Sequence, residues 1–112
     1  MGLKPAIFVG GAKNAIRRFP YEARKEAGLQ LQRVQAGKEP ADWKPMPSIG
    51  PGVREIRIHH PHEHRVIYVA HFPEAVYVLD AFEKKTKQTP QRHIDLARAA
   101  YAEIKKRRQH ED

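Results

Sequence analysis

Hydrophobic residues in the first third of the chain predict a short strand followed by two helices. Residues 4–10 (KPAIFVG) form an apolar run of strand length, with glycines at its end. Residues 12–19 carry apolar positions at helical spacing, and Pro20 ends that helix because it lacks a backbone N–H. Residues 21–37 form a second periodic segment, with Gly37 as a C-terminal cap. Two antiparallel helices are the simplest arrangement.

The spacing of apolar residues changes from helical to alternating in the second half of the chain. In residues 53–58 (VREIRI), successive side chains point to opposite faces of a strand, so Glu55 and Arg57 share a face. Residues 65–72 are apolar on both faces, which is typical of a central strand. Residues 75–82 supply a third strand after a short turn. Three strands with short links predict an antiparallel meander.

The C-terminal segment predicts a long helix over residues 90–108, with Thr89 as its N-cap. The predicted fold is therefore α+β: an N-terminal strand and two helices, an antiparallel three-strand meander, and a C-terminal helix. We expect one domain over residues 1–112, with a basic tail at 105–112. We also expect the helices to cover one face of the sheet and to leave the other, which carries Glu55, open.

Composition and charge limit the kinds of partner that this chain can have. Its 112 residues include 21 Lys and Arg against 13 Asp and Glu, which gives a formal net charge of +8. Because the cations occur within the folded segments as well as near the C-terminus, we expect a basic face and a polyanionic partner. The sequence has no cysteine, no membrane-length apolar run and no secretory signal. We therefore expect a cytoplasmic protein with no membrane partner.

The stretch RIHHPHEHRV, residues 57–66, places four histidines and a glutamate between two strands. A metal site needs three or four ligands in a fixed geometry, whereas a proline-containing link between strands is ordinary turn chemistry. We therefore predict a solvated hairpin tip, with no metal site and no cofactor. His59 continues the face of Glu55 and Arg57, where it can contact a ligand.

Cationic side chains accumulate beside one carboxylate on the face that we expect to be open. The candidate catalytic residues are Glu55, Arg57, Arg65, Lys84 and Lys85. One interpretation is a set of cross-strand ion pairs. However, one carboxylate cannot neutralise so many cations, and this surplus favours binding of a phosphate. The cations would then stabilise charge that develops on a scissile phosphate, and Glu55 or a lysine of lowered pKa would handle the protons.

Three aromatic side chains have either a structural or a ligand-binding interpretation. Residues 38–52 are rich in proline and glycine, which predicts a loop. Within it, Trp43 is either a core anchor or a stacking surface for a base, and Lys44 can extend the basic face. Phe82 has the same two interpretations as Trp43, whereas Tyr68 is predicted to lie in the core.

Three stretches together, DWKPMPSIGPGVREIRI, HRVIYVAHFPEAVYVLDAFEKKTKQTP and DLARAAY, resemble the phage-related HigB-like branch of the RelE/ParE toxin superfamily. The resemblance covers residues 5–102 and implies a small RelE-like toxin of a type II toxin–antitoxin system. It places Arg57 and Arg65 where such toxins have basic residues on two adjacent strands. It places Lys84, with Lys85, where they have a basic residue just after the last strand.

The resemblance also implies an activity and a partner. Many such toxins are metal-independent endoribonucleases that cut mRNA in the ribosomal A site by attack of the 2′-hydroxyl, and so inhibit translation. A helix-turn-helix antitoxin of the HigA type would form a heteromer with the toxin. Glu55 stands where some relatives have lysine. No tyrosine or histidine directly follows the KKT segment as a general acid, and His93 is the nearest candidate.

Two other functions remain open at this point. A ParE-like protein would share the architecture but inhibit DNA gyrase by binding, without catalysis. A basic RNA-binding module encoded by a phage is the second alternative. If the partner is RNA, the expected RNA-binding residues are Lys44, Trp43, His59, Phe82, Lys87 and Arg92.

Overall fold

The computed structural model describes residues 3–110 and has an α+β architecture consistent with the predicted RelE-like fold. In chain order the elements are β1 (Ala6–Phe8), α1 (Ala12–Arg17), α2 (Tyr21–Gln35), β2 (Trp43–Pro45), β3 (Val53–Ile58), β4 (His64–Val69), β5 (Val76–Glu83) and α3 (Gln91–His110). Every element predicted from the sequence is present. Of the expected basic tail, residues 105–110 continue α3, and the last two residues lie outside the described part of the chain.

The strands form a single five-stranded sheet in the order β1-β5-β4-β3-β2. β3, β4 and β5 are antiparallel neighbours, which confirms the meander, and β1 joins the edge parallel to β5. The prediction that residues 38–52 form only a loop is wrong, because β2 lies within them and pairs with β3. Pro45 argues against a strand at this position in the sequence, since proline cannot donate a backbone hydrogen bond to a neighbouring strand and is tolerated mainly in edge strands.

Helices lie on both faces of the sheet, so the expectation of one open face is wrong. α1 and α2 pack on the face that contains Ile56 and Val66. α3 packs on the opposite face, against Ile67, Val69 and Leu79. The physical reason is visible in β4, which is apolar on both sides and buried along its whole length. Each face of such a strand must be covered to remove its apolar surface from water.

α3 does not extend over the whole of its face. Its buried residues begin at Ala97 and continue to Ile104, and the packing involves the middle of the helix. At its N-terminal end, the hydroxyl of Thr89 donates to the Glu55 carboxylate over 3.4 Å. The corner of the sheet where β2, β3 and β4 meet the segment after β5 therefore lies beside the first turn of α3. This corner contains the candidate functional site.

Candidate functional site

Four of the five predicted catalytic residues, together with Lys44, meet at this corner of the sheet. Lys44 is the cross-strand neighbour of Glu55, and Arg57 is the cross-strand neighbour of Arg65. Directly opposed residues point to the same face, and alternate residues of a strand share that face. Lys84 follows β5 and interacts electrostatically with all four of these side chains. We call Lys44, Glu55, Arg57, Arg65 and Lys84 the corner cluster.

A buried ion pair lies at the centre of the corner cluster. Glu55 is 0% exposed and Arg65 is 3% exposed, and the Arg65 Nε atom lies 3.6 Å from Glu55 Oε1. The Arg65 guanidinium also contacts the Glu63 carboxylate at 2.9 Å and donates to the backbone carbonyl of His64. Thr89 donates to the second oxygen of Glu55. Arg65 is thus held by groups within the protein, and its charge balances that of Glu55.

The other three cations of the corner cluster have no ion-pair partner among the residues that the structure describes. Within residues 3–110, no carboxylate lies within 4.0 Å of the charged atoms of Lys44, Arg57 or Lys84. All three side chains are half-buried, and the Nε atom of Arg57 is buried without a hydrogen-bond partner in the described residues. Burial lowers the pKa of Lys84, and the neighbouring charge of Arg65 lowers it further. The corner cluster therefore carries a surplus of positive charge.

The remaining predicted cations are well exposed and lie in the segment after Lys84 and in the first turn of α3. These residues are Lys85, Lys87 and Arg92. Trp43 is placed differently, because adjacent residues of a strand point to opposite faces and Trp43 precedes Lys44. The Arg54 guanidinium lies over the Trp43 ring at 4.0 Å from its centre. Trp43 is therefore directed away from the corner cluster.

Phe82 and Tyr68 belong to the hydrophobic core. Tyr68 is 1% exposed, which confirms its predicted position. Phe82 is 5% exposed, and its ring stacks on that of His93 with centroids 4.1 Å apart and an interplanar angle of 16°. Of the two interpretations of Phe82, this burial supports the core anchor.

His59 connects the hairpin tip to the corner cluster through a series of charges. One ring nitrogen contacts the Asp42 carboxylate, and the other lies 2.9 Å from the Glu63 carboxylate. The hydrogen bond to Asp42, followed by that to Glu63, raises the pKa of His59. Glu63 in turn contacts Arg65. In the part of the chain that the structure describes, no three His, Asp or Glu side chains are grouped so that they could hold a metal ion.

Comparison with known families identifies the group to which this chain belongs. The family model described as "Phage derived protein Gp49-like (DUF891)" matches residues 14–102, which is more than half of the chain. The chain belongs to this phage-derived Gp49-like family. The family is associated with RelE-like and toxin-like proteins, in agreement with the observed fold. No curated protein matches the chain. Among the described residues of this Gp49-like protein, no helix is long and apolar enough to span a membrane.

The structure of the Gp49-like protein adds residues to the site that the sequence did not indicate. Glu63 and Thr89 hold the central ion pair, although Thr89 was expected only as a helix cap. Asp80 is 6% exposed, accepts a hydrogen bond from His93 Nδ1 over 2.7 Å, and has a pKa that burial raises. One signal could have revealed Asp80, since a carboxylate inside an apolar strand is seldom buried without a partner.

Proposed function

We propose that this Gp49-like protein is the toxin of a type II toxin–antitoxin system and cleaves mRNA on the ribosome. The observation that carries the proposal is the surplus of positive charge in the corner cluster. Lys44, Arg57 and Lys84 have no ion-pair partner in the described part of the chain, whereas Glu55 and Arg65 balance each other. Cations that are held in place and only partly hydrated bind phosphate, and they stabilise it further as negative charge develops in the transition state.

The geometry favours different roles for the members of the corner cluster. Lys44 and Arg57 would bind the scissile phosphate while the ribose 2′-hydroxyl oxygen attacks the phosphorus atom and the 5′-oxygen leaves. Lys84 is half-buried with a lowered pKa, so it exchanges protons closer to neutral pH than an ordinary lysine does. It is better placed than Glu55, which is 0% exposed, to exchange a proton with RNA. Glu55 would instead orient Arg65.

The wider distribution of charge fits a large RNA partner. The net charge is +8, and further exposed cations follow Lys84 in the chain at Lys85, Lys87 and Arg92. These side chains would contact the backbone of the mRNA and of ribosomal RNA in the A site. A protein that blocks translation in the cell that makes it requires an inhibitor. Its resemblance to RelE-type toxins makes a helix-turn-helix antitoxin the expected partner in a heteromer.

The test is an in vitro translation reaction with one defined mRNA, read by primer extension. The variants are Arg57→Gln and Lys84→Gln, with Lys13→Gln as the control because Lys13 is an exposed lysine of α1. We expect wild type and Lys13→Gln to cut the mRNA, and each cluster variant to cut about 100-fold more slowly. A parallel reaction without ribosomes tests the requirement for them, and circular dichroism checks that each variant is folded.

Two results would overturn the proposal. Undiminished cleavage by both folded variants would mean that the corner cluster is not the active site. Intact mRNA in the presence of the wild-type protein, together with blocked supercoiling by DNA gyrase, would instead assign the protein to the non-catalytic ParE-like class.

A further inference from the structure

A groove runs along the outer edge of β5, on the side of Phe82 away from the corner cluster. Within the described residues, β1 pairs with β5 only through Val76–Val78. Farther along, β5 continues without a strand on that side, between α1 and α3. The resulting β5 groove has a volume of about 510 Å³. This size is within the range of small-molecule sites.

The floor of the β5 groove contains a buried nitrogen that lacks a hydrogen-bond partner. His64 lines the groove, is 1% exposed, and contacts the carbonyl oxygen of His62 through Nδ1 at 2.8 Å. A carbonyl oxygen only accepts hydrogen bonds, so Nδ1 carries the proton and Nε2 of the neutral ring is an acceptor. No residue in the described part of the chain satisfies Nε2. His64 is the strand neighbour of Ile58 and packs on Phe19, so it closes the groove on the α1 side of the sheet, and its buried Nε2 does not face a ligand.

The polar group on the α3 side of the groove is Asp80, which shares a face with its strand neighbour Ile67. The Asp80 carboxylate lines the same groove and accepts one hydrogen bond from His93 Nδ1 at 2.7 Å. A carboxylate can accept several hydrogen bonds, so Asp80 retains capacity for a ligand donor. Leu96 adds exposed apolar surface on α3. The α3 side of the groove therefore suits a flat ring that carries an N–H group.

The rim of the β5 groove has the opposite character. Arg18 at the end of α1 and Arg92 at the start of α3 are both exposed, and neither has an ion-pair partner in residues 3–110. Besides Asp80, two acidic residues line the groove: Glu103 is paired with Arg107, while Glu83 lies at the end of β5. Two arginines would repel a basic peptide, but they suit a phosphate.

We propose that the β5 groove binds one nucleotide of the RNA, with an amino-bearing base against Asp80 on the α3 side and a phosphate between Arg18 and Arg92. The inference rests on the proposed function, which supplies the RNA. It also fits the position of the groove. Phe82 is the cross-strand neighbour of Arg65 in the corner cluster and stacks on His93, which lines the groove. Phe82 itself also lines the groove.

The experiment is an NMR titration of the isotope-labelled full chain with cytidine and uridine monophosphates. These ligands have similar size and differ at the exocyclic group of the base, which is an amine in cytidine and a carbonyl in uridine. We expect cytidine monophosphate to shift the amide signals of Ala15 and Ala99, which line the groove, and to bind about tenfold more tightly than uridine monophosphate. Inorganic phosphate alone is the third ligand and should bind more weakly than either.

Two matched variants locate the binding. Leu96 and Leu29 are leucines of α3 and α2 with 47% and 48% exposure, and only Leu96 lines the β5 groove. Leu96→Glu should weaken binding of cytidine monophosphate about tenfold or more through bulk and charge, and Leu29→Glu should leave it unchanged. Equal binding of all three ligands, or loss of binding in Lys84→Gln but not in Leu96→Glu, would overturn the inference.

The outcomes also separate this inference from the proposed function. If the wild-type protein cuts mRNA but cytidine monophosphate leaves the groove signals unchanged, only the nucleotide groove is refuted. If cytidine monophosphate binds as expected but no mRNA is cut, the groove inference is supported and the nuclease proposal fails.

Discussion

Neutralising Glu55 tests whether this residue is needed mainly for charge balance. In Glu55→Gln, the Arg65 guanidinium would lose its fully buried counterion. At the observed separation of 3.6 Å, an effective dielectric constant of about 20 gives an attraction of about 4 to 5 kcal/mol. Loss of one partner from a buried pair typically costs about 3 to 5 kcal/mol. Because Glu63 still contacts Arg65 at 2.9 Å, we expect the free energy of unfolding to fall by the lower end of this range, about 3 kcal/mol.

The assay is urea unfolding at neutral pH, followed by far-ultraviolet circular dichroism. Glu39→Gln is the matched control, since Glu39 lies 3.7 Å from Arg54 but its side chain is 66% exposed. An exposed pair of this kind is worth less than about 1 kcal/mol. Arg65→Met and the double variant with Glu55→Gln complete a double-mutant cycle. The double variant should be less destabilised than the sum of the single variants, because it leaves no unpaired charge.

Equal unfolding midpoints for Glu55→Gln and Glu39→Gln, with unchanged denaturant dependence, would refute this reasoning. The burial of Glu55 would then need another explanation, and a direct role in proton transfer would become the better one. A folded Glu55→Gln protein that still cuts mRNA at a rate close to that of the wild type would instead support the assignment of proton transfer to Lys84.

Three further predictions concern the elements that support the site. The hydrogen bond to Asp42 raises the pKa of His59 above its ordinary 6.5, so the stability that it contributes is complete below that value and is lost as pH rises through the raised pKa. Urea unfolding of wild type and His59→Gln should therefore differ more at about pH 5.5 than at about pH 8.5, and a pH-independent difference would contradict this. Gly52→Ala should destabilise the protein by about 1 kcal/mol, since Gly52 has φ +77°. Gly28→Ala within α2 should instead stabilise the protein by about 0.5 to 1 kcal/mol. Equal shifts in the Tm of the two variants would argue against the turn geometry. Ile104→Ala should cost about 2 to 5 kcal/mol in urea unfolding, because Ile104 is 1% exposed on the inner side of α3, and a loss below about 1 kcal/mol would mean that α3 is loosely packed.

The sequence predicts most of the secondary structure because each of the longer elements has a clear spacing of apolar residues. β3 has the predicted bounds of 53–58, and its alternation correctly separates Glu55 and Arg57 from Ile56. β2 was missed because three residues are too few to show a period and one of them is Pro45. The proximity of Arg57 and Arg65 was also predicted correctly, since the register of a hairpin follows from its alternation.

Burial of the charges was not predictable in the same way. Arg65 lies on a strand whose neighbours in sequence are apolar, which is compatible with either an open or a covered face. The exposure of Arg65 depends on the position of the N-terminal end of α3 and on Glu63, which contacts Arg65 from the hairpin tip. Both are tertiary effects without a local sequence pattern. The stacked position of His93 on Phe82 is of the same kind, because it depends on how α3 crosses β5.

The N-terminal end of α3 links the corner cluster to the β5 groove. Thr89 contacts Glu55, and His93, about one helical turn later, contacts Asp80. Thr89 and His93 belong to one continuous segment. A change in the position of α3 would therefore move the partner of Glu55 and the partner of Asp80 together. Ile104→Ala at a urea concentration well below its unfolding midpoint should therefore weaken both mRNA cleavage and cytidine monophosphate binding. Arg57→Gln does not alter α3, and it should affect cleavage alone. If Ile104→Ala changed only one of the two activities, the corner cluster and the groove would have to be positioned independently.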